Sequence, residues 1–236
     1  MYKLTELTAQ RKQHLLLYGL LLLWCSLTVL YGAQLAADGL SIRQWQWANI
    51  AWLLLPVPLV WLQAQAGLPG WLQAPLRLRL WWPLLIGIGF GLLDVWIVGF
   101  VLRSEPYTSL PPFLQPFPYS IFLYGSGAIE IELFYRLVPL TIFMLLGALA
   151  ARGRYASWFF WAGAVLIALR EPLEQWPDGA TWFVAYAFVS GFGMNFLQAI
   201  FFRRAGFLAS LTLRMGHYLC WHILFGIWVQ YVMLAA

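Results

Sequence analysis

Charge is scarce in this chain of 236 residues: Asp, Glu, Lys and Arg together make up 10% of it. With 62% hydrophobic residues and a mean hydropathy of +0.74, that scarcity excludes an ordinary soluble domain, which is about 45–50% apolar. Cysteine is nearly absent as well. Cys25 and Cys220 both stand inside apolar runs, where a thiol acts as a small packing residue, so neither a disulfide nor a cysteine metal site is expected. No internal repeat and no low-complexity segment is visible. A cleavable leader is not expected either. After the basic start (Lys3, Arg11, Lys12) the apolar run Leu15–Leu35 is longer than the usual roughly 7–15 residues, and Ala33-Gln34-Leu35 is a poor cleavage site. The run reads as a retained first helix.

Apolar and aromatic residues dominate instead. Fifteen Trp and eleven Tyr suit the aromatic belts of a membrane interface. The expectation is an all-α, polytopic transmembrane helical bundle forming one integral membrane domain over residues 1–236. At about 20 residues per crossing, candidate spans fall near 14–36, 45–64, 80–102, 118–150, 155–172, 180–202 and 206–234. The loops between them alternate in charge. One side carries Lys3, Arg11, Lys12, Arg77, Arg79, Arg152, Arg154, Arg203 and Arg204; the other carries only Arg43 and Arg103, with Asp38, Glu105, Glu174 and Asp178. By the positive-inside rule this gives about seven spans with a cytoplasmic N-terminus and an outer C-terminus. The net charge of +5 is accounted for by these topology signals, so nucleic acid is not an expected partner. Membrane lipids are. Gln65–Arg79, with Gly67, Pro69, Gly70 and Pro75, is expected along the cytoplasmic interface. Ser104–Tyr119, with five prolines, reads as an outer loop or lid. The fourth span must tilt or break, and Pro139 lies where a kink would fall.

Against this background seven residues are out of place in apolar spans: Glu130, Glu132, Arg136, Arg170, Glu171, Arg214 and His217. A charge at the bilayer centre costs roughly 2.5–3.5 kcal/mol on insertion scales, so such residues face one another or a wet cavity. Glu132 and Arg136, four apart, share a helix face and are expected to pair. Glu130 points about 200° away from Glu132 and must look to a neighbouring helix, near the depth of Arg170 and Glu171. Arg214, His217, Tyr218, Trp221 and His222 share one broad face of the last span. Glu130, Glu132, Glu171, His217 and His222 are thus candidates for holding a polarised water, with Arg136, Arg214 and Tyr218 as orienting residues. Glu171, His217 and His222 are the candidate ligands if a divalent metal such as zinc takes part. Asp94 reads as a structural or an additional carboxylate, and Asn195, Gly191 and Gly193 as helix-packing residues.

These residues carry a resemblance. Glu132-Leu-Phe-Tyr-Arg136 resembles the second Glu and the Arg of the Glu-Glu-x-x-x-Arg motif of the CAAX-protease and bacteriocin-processing (CPBP) family of intramembrane proteases. Leu166–Pro172 and Arg204–Ser210 resemble that family's second motif and the turn entering its last helix. Residues 118–234 form the similar core, with residues 1–102 as preceding spans. The family's first Glu aligns with Ile131, its second-motif Phe and His with Ile167 and Glu171, and its last Asn with Trp221. The resemblance implies an endopeptidase of the prokaryotic inner membrane that cuts a peptide or membrane-protein substrate with a glutamate-activated water. It equally admits a degenerate member that binds without cutting. The competing readings are a non-catalytic assembly or immunity factor and a proton-coupled transporter.

Overall fold

The computed structural model describes residues 4–103 and 106–235. Among them the chain is all-helical, with no strand. Helix α1 (Leu4–Ala37) is followed by two short helices, α2 (Trp47–Leu54) and α3 (Val57–Leu62). Then come α4 (Trp82–Trp96), α5 (Tyr119–Glu132), α6 (Val138–Leu149), α7 (Ala156–Glu174), α8 (Thr181–Ala205), α9 (Phe207–Tyr218) and α10 (Phe225–Trp228). Short π-helical turns extend or join several of these, at Arg77–Trp81, Ile97–Val101, Leu133–Leu137, Leu219–Leu224 and Val229–Met233.

Four stretches are long and apolar enough to cross a membrane: Thr5–Ala37, Arg77–Val101, Tyr119–Leu149 and Thr181–Ala205. This is fewer than the seven spans expected from the sequence, and the reasons are local. The expected second span is interrupted at Pro56 into two helices of 8 and 6 residues. The expected fifth, α7, carries Arg170, Glu171 and Glu174 in its last turns. The expected seventh carries Arg214, His217 and His222.

Two irregular segments connect the helices. Residues 63–76 combine buried and exposed positions and are anchored by one side chain: Trp71 is fully buried, donates to Gln63 Oε1 at 2.7 Å, and packs between His14 and Phe207. Gly206 makes this possible, since its φ of +85° and the backbone of residues 69–71 leave no room for a side chain. The proline-rich segment packs down on the end of the chain. Phe113 stacks on Trp221, Tyr124 donates to Phe113 O at 2.7 Å, and Phe117 N donates to Gln230 at 3.0 Å. The break in the long fourth span falls where Pro139 removes a donor: the π-turn Leu133–Leu137 joins α5 to α6.

Small residues set the closest helix contacts. Gly32 and Gly125 let α1 pack on α5, with Thr28 and Ser126 hydrogen-bonded across the seam at 2.7 Å. The tightest contact is α4 against α9. A methyl group on Gly87 would lie 2.0 Å from Leu213 O, one on Gly91 2.6 Å from His217 O, and one on Gly216 2.5 Å from Leu84 O. Backbone stands on the far side of each contact, so Gly87→Ala must push the helices apart. We expect it to lower stability by about 1–3 kcal/mol in thermal melts of the detergent-purified protein. Gly89→Ala, with nothing within 4 Å of the new methyl, should melt near wild type.

Candidate functional site

About 20 Å along α5 from Tyr119, at 1.5 Å per residue, the buried charges meet. Glu132, Arg136, Glu171 and Arg214 come from α5, the π-turn after it, α7 and α9, and none is more than 6% exposed. Arg214 is the hub. Its Nε donates to Glu132 Oε1 at 2.8 Å, and Nη1 and Nη2 donate to the two oxygens of Glu171 at 2.8 and 2.6 Å. Nη2 also reaches Asn195 Oδ1 at 3.1 Å. Arg136 is held more loosely, 3.4 Å from Glu171 and 3.7 Å from Glu132. Gln198 reads both signs, its Nε2 donating to Glu132 Oε1 at 2.7 Å while its Oε1 accepts from Arg136 and Arg214. Ser210 Oγ donates to the remaining Glu132 oxygen. Two carboxylates and two guanidiniums cancel, and all four carboxylate oxygens have donors.

The expected Glu132–Arg136 pair is therefore present, inside a larger network. With two guanidiniums, Gln198 and Ser210 on their oxygens, Glu132 and Glu171 are held as paired carboxylates inside the network. Glu171, His217 and His222 do line one cavity, yet among the described residues no group of three His, Cys, Asp or Glu side chains is arranged to hold a metal ion. Arg170 is not part of the buried set: it pairs at the surface with Glu174 at 2.7 Å and lies over the Tyr135 ring.

Beside the network lies a cavity of about 340 Å³. Its polar wall includes Asp94, Tyr186, Ser190, Arg214 and His217. His217 Nε2 and Asp94 Oδ2 are 2.6 Å apart, and the Tyr186 hydroxyl donates to Asp94 Oδ1. With Asp94 ionised and the imidazole neutral, the one imidazole proton sits on Nε2, since a carboxylate can only accept. Nδ1 is then left as a lone pair, and it is buried without a partner in the protein. This is the arrangement of a general base whose tautomer is fixed by a carboxylate. The close α4–α9 packing at Gly87, Gly91 and Gly216 brings Asp94 to His217.

Glu130 and His222 stand elsewhere. Glu130 is half-buried in a second cavity of about 450 Å³, beside Arg43 and Trp45. His222 lines both cavities; it stacks on Tyr124 at 4.1 Å, and its Nδ1 is 2.9 Å from Phe113 O. Tyr218, buried, lies in the wall between the two cavities with its ring under Arg214. Gln198, Ser210 and Tyr186 were not singled out from sequence. Asn195 and Gln198, three apart on one face of α8, carried the available signal for the network.

No family model, curated protein or solved structure matches the chain.

Proposed function

We propose that this chain is an intramembrane endopeptidase with a CPBP-like core, whose water-activating base is His217 oriented by Asp94. The observation that carries the proposal is the Asp94–His217 pair at 2.6 Å, with the buried imidazole Nδ1 unpartnered, in the wall of a polar cavity. His217 Nδ1 takes a proton from water, and the hydroxide adds to the carbonyl carbon of a scissile peptide bond. Asp94 stabilises the imidazolium. The tetrahedral adduct then collapses as His217 returns the proton to the leaving nitrogen and the C–N bond breaks. The four-charge network takes no proton in this scheme. It holds α5, α7 and α9 so that the cavity keeps its shape.

The same reading places the chain in a prokaryotic inner membrane with seven crossings and a cytoplasmic N-terminus. The alternating Arg clusters of the loops support it. Reporters fused after Arg154 and after Leu234 should report cytoplasm and exterior respectively. The same side for both would exclude seven crossings.

The direct experiment is incubation of the protein in nanodiscs with a library of membrane-spanning peptides, with and without chelator. Cleavage should occur and be insensitive to the chelator. No cleavage of any peptide would favour the second reading, a non-catalytic assembly or immunity factor. The pairing of Glu132 and Glu171 with buried arginines supports that alternative.

A further inference from the structure

The cavity around Glu130 has no part in the hydrolytic scheme, and its chemistry differs from that of the Asp94–His217 cavity. It is lined by Glu130, a half-buried carboxylate in α5 with no hydrogen bond or ion pair to a side chain among the described residues, placed about 16 Å along the helix from Tyr119. Its rim is Arg43, exposed and fixed through its backbone: Arg43 N donates to Gln115 at 2.8 Å, and Arg43 O accepts from Tyr119 at 2.9 Å. The guanidinium lies 5.6 Å from the Tyr124 ring centroid and makes no ion pair with Glu130. The same cavity is lined by the aromatic residues Trp45, Phe113, Tyr124 and Tyr218.

An unpaired carboxylate this deep is costly unless something positive visits it. Aromatic walls favour a cation approaching it through their ring faces. The rim arginine supplies the opposite need, a forked donor for an oxyanion. A volume of about 450 Å³ is in the range of small-molecule sites.

We propose that this cavity binds a zwitterion, its ammonium at Glu130 and its oxyanion at Arg43. The ligand chemistry is an ammonium joined by a short chain to a carboxylate or a phosphodiester. A free amino acid and a phosphoethanolamine lipid headgroup both meet that description. The site does not depend on the hydrolytic reading.

The test is calorimetry on the full chain, purified in detergent free of phosphatidylethanolamine. The soluble probes are γ-aminobutyrate and glycerophosphoethanolamine. Nanodiscs with and without phosphatidylethanolamine, read by lipid retention, give the membrane arm. At least one probe should bind saturably. Glu130→Gln and Arg43→Gln should each weaken it by about tenfold or more, the range for losing a charge-assisted hydrogen bond. Arg43→Lys, which keeps the charge and loses the fork, should fall between wild type and Arg43→Gln, and His217→Ala should retain all of the affinity. Retention of the lipid alone would assign the headgroup as ligand; binding of a soluble probe alone would assign a free zwitterion. Ethanolamine should bind more weakly than either probe. Absence of binding in every arm would overturn the proposal. So would binding that survives both Glu130→Gln and Arg43→Gln, or ethanolamine binding as tightly as the zwitterions. Each variant's melting temperature, matched to wild type, keeps a lost signal from being a lost fold.

Discussion

Arg214→Ala is expected to leave little folded protein in the membrane. Arg214 makes three short contacts to carboxylates in the core, at 2.8, 2.8 and 2.6 Å, and serves both buried carboxylates at once. Its removal leaves two carboxylates facing Arg136 alone, whose contacts are 3.4 and 3.7 Å. Breaking a buried pair by deleting one partner costs about 3–5 kcal/mol, a large part of the roughly 5–15 kcal/mol that keeps a domain folded. Arg136→Ala should cost less, because its ion pairs are longer and Gln198 is left with Arg214 as a partner. Gln198→Leu falls between the two in its logic: it removes a donor from Glu132 and an acceptor from both arginines without changing charge. Yield of monodisperse protein and melting temperature report all three. Wild-type yield and melting for Arg214→Ala would mean that the network does not hold the bundle together.

The second large effect belongs to chemistry rather than folding. Asp94→Asn should reduce peptide cleavage on the order of 10²–10⁴-fold while leaving the melting temperature near wild type. Asp94 is a quarter exposed and stands outside the charge network, so its neutralisation strands no buried arginine. The carboxylate oxygen that accepts the imidazole proton becomes an amide group that no longer fixes the tautomer or stabilises the imidazolium. Tyr186→Phe removes only the hydroxyl that donates to the other oxygen and should have a smaller effect in the same direction. If Asp94→Asn cuts at the wild-type rate, the base is not His217 oriented by Asp94.

The helical class, the apolar spans and the Glu132–Arg136 pair are legible in the sequence because each rests on a period within one helix. The same spacing places Arg214 on the face that carries His217 and Tyr218. Contacts between distant helices were harder to read. Asp94 and His217 are 123 residues apart, and nothing in either local sequence names the other. The clue was Gly87 and Gly91, four apart in α4, which let that helix come close enough to α9 for its one carboxylate to meet the histidine. The neutral residues of the network, Gln198 and Ser210, cost little to bury when hydrogen-bonded and so do not stand out in composition. Glu130 differed from expectation for a geometric reason. Its direction, opposite to Glu132, leads not to α7 but to the space beneath the 43–49 segment, which packs over α5 through Arg43 and Tyr119.

The central claim is that the reactive base is His217 and that the four buried charges are framework. Single-turnover cleavage of one library-derived peptide by wild type and by His217→Ala, in nanodiscs at equal amounts of folded protein, tests it most directly. A fall of about 10²-fold or more with an unchanged melting temperature is the predicted result. Cleavage by His217→Ala at the wild-type rate would contradict it.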